Sequence, residues 1–452
     1  MQKLECFKAY DVRGRVPDEL NEELAYKIGV AYSSIINPGT VIIGYDIRLE
    51  SLSLTKALVK GLTDSGSNVI NIGLCGTEEV YFHCFNNRKN NVGGGIMVTA
   101  SHNPKGYNGM KMVREDAKPI SLNDDLQIIH DFIINYPQIE FKKKGSLTFN
   151  EDKTHYIAHL LEYIDVSKLK PLKIVVNPGN GPAGIIIKLL NKFLPFEFTY
   201  INDEPDGNFP NGVPNPMIVE NRQVTSEAMI KHQADLGIAW DGDFDRCFLF
   251  DENGAFIEGY YIVGLLSHHF LKKQPGAKIV HDPRLFWNTL DIIEKYNGNA
   301  VQSKSGHSFI KEKMRTCDAI YGGEMSAHHY FKQFSYCDSG MLPWLIITSI
   351  LCDQNKKLSE LVNIMIAKFP CSGEINYQVT DKNTVLENII KYFTPQNPKI
   401  DYTDGINLEF FDWRFNVRQS NTENLLRLNI ETNNKGRDLK ECILEVESII
   451  LL

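Results

Sequence analysis

A pattern of strand, tight turn, amphipathic helix and second strand occurs three times along the chain, and it restricts the fold more than any other feature. The copies begin at TVIIGYDIR (40–48), LKIVVNPGNG (172–181) and AKIVHDPR (277–284). In each copy, a short β-branched run typical of a strand leads into a segment with helical periodicity. This pattern predicts strands linked by helices, so we expect three related α/β domains with mixed sheets.

The pattern changes in the last part of the chain. GINLEFF, WRFNVRQS and LLRLNIET predict closely spaced strands, and KECILEVESIIL predicts a final helix. These segments indicate a smaller C-terminal α+β domain. With polar stretches taken as boundaries, we expect four domains, at 1–150, 151–255, 256–369 and 370–452.

Composition excludes several classes of protein. Lys and Arg number 48 against 56 Asp and Glu, and the net charge of −8 argues against a nucleic-acid or membrane-surface partner. Nine cysteines without C-x-x-C spacing predict free thiols. The N-terminus lacks an apolar signal core, and Met341–Cys352 is too short to span a bilayer. We expect a cytoplasmic globular protein, with no oligomeric state specified.

Three carboxylates alternate in the motif DGDFDR, at Asp241, Asp243 and Asp245. The flanking runs ADLGIAW and RCFLF predict strands, so the carboxylates should lie on the connecting turn. A hard divalent cation such as Mg²⁺ or Ca²⁺ would relieve their repulsion. A hydrophilic hairpin is the alternative, because Asp-Gly is a favoured turn pair. Arg246 stands where an EF-hand requires glycine, which excludes that motif.

Two further loops follow predicted strands. In GGGIMVTASHNP, an apolar strand ends at Ser101 and Pro104 predicts a turn after it, which presents the Ser101 hydroxyl where α/β folds bind ligands. A Ser/Asn turn is the alternative, and the lack of a G-x-S-x-G motif argues against a hydrolase serine. GNGPAG (179–184) matches a dinucleotide motif, but Pro182 removes a backbone N–H, which favours a tight turn over NAD binding.

Two polar motifs occur in the second half of the chain. GGEMSAHH brings together Glu324, Ser326 and His328, residue types that bond sugar hydroxyls or act as acid and base. RQSNTE contains four residues that suit a phosphate: Arg418, Ser420, Asn421 and Thr422. Such a loop is typical of phosphate binding, with a polar hairpin as the alternative.

Six motifs together resemble the α-D-phosphohexomutase family in order and spacing, from about Lys3 to the end of the chain: KAYDVRG, TASHNP, DGDFDR, KSGHSFIK, GEMSAHH and RQSNTE. The resemblance implies four domains around a central cleft, Mg²⁺, small-molecule hexose phosphates as substrates and a hexose 1,6-bisphosphate activator. The sequence is most similar to bacterial members that act on mannose phosphates and supply GDP-mannose synthesis. Met325 fits this, since members acting on glucosamine phosphate usually carry Gln there.

The resemblance also implies a reaction and a role for each motif. Mannose 1-phosphate and mannose 6-phosphate would be interconverted through a phosphoserine and a hexose 1,6-bisphosphate, with glucose phosphates as the alternative or additional substrates. Mg²⁺ would be held by Ser101, Asp241, Asp243 and Asp245. Catalytic roles fall on Ser101, Arg13, His102, Lys111, Arg246 and His307. Substrate would be bound by Tyr10, Arg284, Glu324, Ser326, His328, Arg418, Ser420, Asn421 and Thr422.

The chain departs from the family pattern at four positions without losing a chemical group that the mechanism needs. Phe244 and Ala327 stand where Gly is common, Arg284 where Lys is frequent, and Asn424 where Pro is common. Two other classes of function are a hydrolase that forms a phosphoserine and a sugar-phosphate sensor without catalysis. A sensor would be expected to lose the serine or a metal-binding Asp, and this chain keeps all four.

Overall fold

The chain forms two units, each built from two separate stretches of sequence. Unit 1 comprises Met1–Phe256 and Tyr330–Asn355, and unit 2 comprises Ile257–His329 and Lys356–Leu452. The structure is a computed structural model, and it describes residues 4–120, 125–137, 143–419, 425–433 and 436–451.

Unit 1 begins with a six-stranded mixed sheet. Its strands are β1 (Val12–Arg15), β2 (Thr40–Tyr45), β3 (Asn68–Leu74), β4 (Val92–Val98), β5 (Tyr107–Arg114) and β6 (Leu147–Phe149). Their order is β1-β5-β4-β2-β3-β6, with β2 parallel to β3 and β4. The helices are α1 (Glu22–Ile36), α2 (Ser51–Asp64), α3 (Thr77–Asn86) and α4 (Asp125–Asn135). The first predicted strand–helix–strand unit is confirmed as β2, α2 and β3.

Two glycines let α1 and α2 approach closely. A Cβ atom on Gly61 would lie 2.1 Å from the carbonyl oxygen of Tyr26, and one on Gly29 would lie 2.4 Å from that of Leu58. Apolar side chains such as Ile28 are fully buried in the core beneath these helices. The close packing keeps both helices against one face of the sheet, which leaves the loops at the strand ends to form the site.

The second sheet of unit 1 carries the acidic motif. Its strands are β7 (Lys173–Asn177), β8 (Glu197–Tyr200), β9 (Leu236–Trp240), β10 (Cys247–Phe250) and β11 (Phe256–Ile257), with helices α5 (Thr154–Leu161), α6 (Ala183–Leu190) and α7 (Gln223–His232). The strand order is β11-β10-β9-β7-β8. Strands β9 and β10 pair antiparallel, with Trp240 opposite Cys247. The predicted placement of DGDFDR on a turn between two strands is therefore confirmed.

The third set of strands begins in unit 2, and its last strand lies in unit 1. The strands are β12 (Lys278–His281), β13 (Asn299–Gln302), β14 (Tyr321–Gly323), β15 (His329–Phe331) and β16 (Cys337–Asp338), and the helices are α8 (Gly259–Lys273), α9 (Trp287–Lys295), α10 (His307–Cys317), α11 (Leu342–Gln354) and α12 (Leu358–Lys368). Strand β12 is parallel to β13 and β14, whereas β15 and β16 are antiparallel. The chain passes from unit 2 to unit 1 within β15, so α11 belongs to unit 1.

The C-terminal sheet is antiparallel. Its strands are β17 (Cys371–Gln378), β18 (Lys399–Asp401), β19 (Ile406–Glu409), β20 (Trp413–Gln419) and β21 (Leu425–Thr432), with helices α13 (Lys382–Phe393) and α14 (Leu439–Ile450). The order is β17-β21-β20-β19-β18. Alternate residues of β20, at Trp413, Phe415 and Val417, are buried in the apolar core. The residues between them, Arg414 and Asn416, are polar yet also fully buried.

The three mixed α/β layers and the antiparallel C-terminal sheet confirm the predicted fold class. The three strands and the last helix predicted after residue 400 correspond to β19, β20, β21 and α14. All nine cysteines are free thiols, as predicted. Among the described residues, no helix combines the length and the apolar character needed to cross a bilayer.

Candidate active site

The Ser101 loop follows β4 and has a constrained backbone. Ser101 has a φ of +49° and is 1% exposed. Its backbone N–H donates to the Thr99 hydroxyl at 2.8 Å, which in turn donates to Asp46 at 2.7 Å. A Cβ atom on Gly242 would lie 2.4 Å from the Ser101 carbonyl oxygen. Glycine at 242 therefore permits the serine loop and the acidic loop to approach closely.

Arg48 holds the serine loop in place, although no sequence motif pointed to this residue. Its guanidinium donates to four backbone carbonyl oxygens, those of Ser101, Asn103, Pro104 and Tyr107, at distances from 2.5 to 2.9 Å. Arg48 is 3% exposed and also pairs with Asp46 at 3.5 Å. The position of the serine thus depends on a side chain from the end of β2.

The Ser101 hydroxyl lies between a carboxylate and an imidazole. Its oxygen is 2.8 Å from Asp241 Oδ2 and 3.0 Å from His102 Nδ1. Arg246 Nη2 donates to the same His102 nitrogen at 2.7 Å, so this nitrogen accepts and the ring is neutral. Burial, together with the Arg246 and Arg13 guanidinium groups, lowers the pKa of His102, in agreement with a neutral ring.

The acidic loop, residues 241–246, gathers the three predicted carboxylates. Asp241, Asp243 and Asp245 are buried, and one oxygen of each lies within 4.8 Å of the others. Burial and the neighbouring Asp245 raise the pKa of Asp241 to about 7. Asp243 Oδ1 is buried and accepts no hydrogen bond from the described residues. This all-oxygen set fits a hard divalent cation such as Mg²⁺.

Cationic side chains surround the acidic loop. Lys111 on β5 donates to Asp243 at 2.6 Å and also to Asp245. Burial opposes the charge on Lys111, but the two carboxylates outweigh it and raise the Lys111 pKa. Arg246 Nε lies 3.3 Å from Asp241 Oδ2. Lys111 and Arg246 place fixed positive charge where a phosphoryl group attached to Ser101 would need it.

Arg13 contacts the serine loop and the neighbouring Asp11. It donates to the Ala100 carbonyl at 3.0 Å, to Asn103 Oδ1 at 2.7 Å and to Asp11 at 2.6 Å. Tyr10, three residues earlier, is half-buried. The structure therefore brings Ser101, His102, Lys111, the three aspartates and Arg246 into one cluster in unit 1, with Arg13 supporting the loop.

A second cluster lies in unit 2 around Arg284. This buried guanidinium donates to Asp282 Oδ2 at 2.8 Å, Glu324 Oε1 at 3.3 Å and Ser326 Oγ at 3.2 Å. Glu324 also accepts the backbone N–H of Gly306 at 2.8 Å, which joins the KSGH and GEMS segments. The rings of His307 and His328 follow on these segments, with centroids 6.4 Å apart.

Glu374 on β17 lies close to three arginines, and no sequence motif pointed to this residue. Arg418 Nη2 donates to Glu374 Oε2 at 3.1 Å, while Arg427 and Arg284 lie 3.5 and 3.9 Å from the carboxylate. Burial opposes the charge, but the arginines lower the pKa of Glu374. Ser420, Asn421, Thr422 and Asn424 lie outside the described residues. The signal for Glu374 was absent, because an isolated Glu in a strand has no motif around it.

A buried serine beside an oxygen-rich, cation-flanked loop defines a site suited to phosphoryl transfer. Four sequence models match consecutive segments of the chain, those of the phosphoglucomutase/phosphomannomutase alpha/beta/alpha domains I (4–137), II (154–254) and III (258–369) and of the C-terminal domain (374–447). The chain belongs to the phosphoglucomutase/phosphomannomutase family. It is an enzyme of the phosphohexomutase class, which confirms the resemblance.

Similar proteins cover the whole chain. A protein of Xanthomonas campestris named phosphohexose mutases is 54% identical over 99% of both chains. A phosphomannomutase of Escherichia coli K12 is 52% identical over 96% of both. The crystal structure of a phosphoglucomutase/phosphomannomutase family protein from Burkholderia thailandensis is 28% identical, with a TM-score of 0.86, covering 99% of this chain and 97% of that one.

Proposed function

We propose that this chain interconverts mannose 1-phosphate and mannose 6-phosphate and supplies GDP-mannose synthesis. The observation that carries the proposal is the buried Ser101 hydroxyl, 2.8 Å from Asp241 in an acidic loop flanked by Lys111 and Arg246. Mannose as the sugar is supported by the Escherichia coli relative, which bears the name phosphomannomutase. A hexose 1,6-bisphosphate serves as intermediate and activator.

In the proposed mechanism, Ser101 donates and later recovers a phosphoryl group. The bond between Ser101 Oγ and phosphorus breaks as O6 of mannose 1-phosphate bonds to phosphorus, and the proton lost by O6 ends on Oγ. The bond between O1 and its phosphorus then breaks as Ser101 Oγ bonds to that phosphorus, the Oγ proton ends on O1, and mannose 6-phosphate leaves. Asp241 orients the serine oxygen, while Lys111 and Arg246 stabilise charge on the transferred oxygens.

We propose that Asp241, Asp243 and Asp245, together with phosphorylated Ser101, hold Mg²⁺. The all-oxygen donors support this choice, as does the buried Asp243 Oδ1, which has no hydrogen-bond partner among the described residues. When bound, Mg²⁺ supplies positive charge to the phosphoryl oxygens. Lys111 offsets part of the negative charge of the carboxylates and holds two of them in place.

The remaining roles are assigned to the cluster around Arg284 and to the C-terminal loop. Glu324, Ser326 and His328 would bind sugar hydroxyls, with His307 and Tyr10 beside the reacting groups. Arg418 with Ser420, Asn421 and Thr422 would bind the distal phosphate, assisted by Arg284. We propose domains at 1–150, 151–255, 256–369 and 370–452, which carry the phosphoserine, metal, sugar and phosphate loops in that order.

The test compares the wild type with Ser101→Ala, using mannose 1-phosphate and glucose 1-phosphate in turn, each with Mg²⁺ and a trace of glucose 1,6-bisphosphate. We expect turnover by the wild type, a higher kcat/KM for mannose, and loss of turnover in Ser101→Ala. The control is Ser167→Ala, because Ser167 is outside both clusters and its hydroxyl donates to the nearby Asp165 at 2.6 Å.

The other outcomes of this assay would contradict parts of the proposed function. Full activity of Ser101→Ala would overturn the phosphoserine role. A higher kcat/KM for glucose 1-phosphate would overturn mannose as the main substrate and make the enzyme a phosphoglucomutase, while equal values would give it dual specificity. Net release of inorganic phosphate without isomerisation would identify a hydrolase.

A further inference from the structure

The turn that begins α3 contacts the acidic loop directly. The Thr77 hydroxyl donates to Asp243 Oδ2 at 2.6 Å, and the Thr77 backbone N–H donates to the Asp243 carbonyl oxygen at 3.1 Å. Thr77 is fully buried. One residue at the start of α3 therefore contacts both the side chain and the backbone of Asp243, 166 positions later in the chain.

Gly76, the residue before Thr77, leaves space for the acidic loop. Phe244 is fully buried, and its φ is +44°. A Cβ atom on Gly76 would lie 2.2 Å from the Phe244 ring, a distance that non-bonded carbon atoms do not adopt. The ring thus occupies the space that a side chain at position 76 would fill. Gly76 and Phe244 are matched in shape across two segments of unit 1.

The turn itself is firmly held. Glu79 accepts the backbone N–H of Gly76 at 3.0 Å and the Lys153 ammonium at 2.5 Å. The backbone N–H of Cys75 donates to the Tyr45 carbonyl at 3.0 Å. Because its own position is set by these contacts, the turn can determine the position of the loop that rests on it.

We propose that Gly76 and Thr77 are positioning residues for the metal-binding loop, and that they set its affinity for Mg²⁺ from outside the loop. The proposal rests on the proposed Mg²⁺ site. Asp243 Oδ2 is committed to Thr77 and Lys111, which leaves Oδ1 for a cation. Hydrogen bonds of this kind to a ligating carboxylate orient it and raise metal affinity.

The first experiment titrates Mg²⁺ by calorimetry into the full-length protein, phosphorylated at Ser101 and stripped of metal. We expect Thr77→Val to bind Mg²⁺ about 10-fold more weakly than the wild type. Thr77→Ser keeps the hydroxyl and should recover most of the affinity. The matched control is Thr225→Val: Thr225 is also buried, and its hydroxyl accepts a hydrogen bond from Asn177 at 2.9 Å in place of one to the acidic loop.

The second experiment tests the shape match with the same titration. Gly76→Ala should weaken Mg²⁺ binding, because the new methyl group displaces the Phe244 ring. Combining it with Phe244→Gly removes the clash, so the double variant should bind Mg²⁺ more tightly than Gly76→Ala alone. General loss of stability would make the double variant worse and not better.

The outcomes separate this inference from the proposed function. Wild-type affinity in Thr77→Val, or a double variant that binds no better than Gly76→Ala, would overturn the positioning role while the Mg²⁺ site stands. A Thr225→Val variant as weak as Thr77→Val would also overturn it, since any buried threonine would then have the effect. Failure of the wild type to bind Mg²⁺ would overturn the proposed metal site, and the inference with it.

Discussion

At the scale of single residues, the two positions where family members often carry glycine have left-handed backbones. Phe244 has a φ of +44° and Ala327 a φ of +67°. Glycine adopts this region without steric cost, whereas other residues lose about 1–2 kcal/mol there. Ser101 shares the conformation, with a φ of +49°. A residue other than glycine at these positions thus adds backbone strain at the site, but it does not change the chemical groups there.

Arg48 provides a residue-scale prediction. Arg48→Ala removes the donors to four loop carbonyls and leaves the buried Asp46 unpaired, so we expect a loss of about 3–5 kcal/mol in unfolding free energy. Arg48→Lys should recover stability only in part, because an ammonium lacks the planar fork of donors. Urea unfolding measures the stability, and the mutase assay should show a lower kcat for both variants.

The control for Arg48 is Arg88→Ala. Arg88 is 62% exposed and forms one ion pair, with Asp116 at 3.3 Å, so its removal should change little. If Arg48→Ala were as stable and active as Arg88→Ala, the four hydrogen bonds would not be what holds the serine loop.

At the scale of elements, Glu78 connects α3 to the start of α11. The Tyr156 and Ser339 hydroxyls lie 2.5 and 2.9 Å from its Oε1, and the N–H groups of Gly340 and Met341 donate to Oε2 at 2.5 and 3.1 Å. Burial raises the pKa of Glu78 to about 8. The neutral acid can donate to one of the hydroxyls while its other oxygen accepts both N–H groups.

This raised pKa predicts a pH dependence of stability. An unfolded glutamate has a pKa of about 4.3, so the folded state binds more protons between that pH and about 8. The contribution of Glu78 is complete below the unfolded pKa and is lost as pH rises through the folded pKa. Glu78→Gln mimics the neutral acid, so from pH 6 to pH 8 it should lose less unfolding free energy than the wild type.

Urea unfolding at both pH values measures this difference. The control is Glu227→Gln, since Glu227 is exposed and its carboxylate accepts from Gln223, a side chain that does not titrate, so the wild-type pH dependence should persist. The same decrease in wild type and Glu78→Gln would show that Glu78 is ionised throughout the range.

At the scale of the whole molecule, a buried polar network joins the C-terminal sheet to the rest of unit 2. Arg414 on β20 donates to the carbonyls of Pro283 and Arg284 at 2.7 and 2.6 Å and to Glu431 at 2.8 Å. Glu431 also accepts the N–H of Phe286 at 2.8 Å. The segment that carries Arg284 is therefore held by the polar face of an antiparallel sheet.

We predict that Arg414→Ala weakens both sides of this network. The variant leaves Glu431 buried without its cationic partner, which should lower the unfolding free energy by about 3–5 kcal/mol. Hydrogen exchange should increase in residues 283–288 and in β20 together. Lys399→Ala is the control, because Lys399 pairs with Glu409 in the same sheet and is 79% exposed. Faster exchange confined to β20 would contradict a shared network.

The sequence by itself predicted the helices and strands, and it supplied the groups that we propose take part in the reaction. Periodicity and turn residues are local signals, so they predicted the strand–helix–strand units, the C-terminal strands and the hairpin that carries Asp241, Asp243 and Asp245. The order of six motifs predicted the family. Short motifs sufficed here because each one contributes several chemical groups from a single loop.

Only the tertiary structure decided which residues hold those groups in place. Arg48, Thr77, Glu374 and Arg414 have no motif around them, and their partners lie far away in the sequence, such as Asp243 for Thr77. Parallel strands are joined by crossovers, which bring distant strand ends to one edge of a sheet. A buried donor needs a hydrogen-bond acceptor. Which acceptor lies beside it at that edge depends on the packed fold and not on the local sequence.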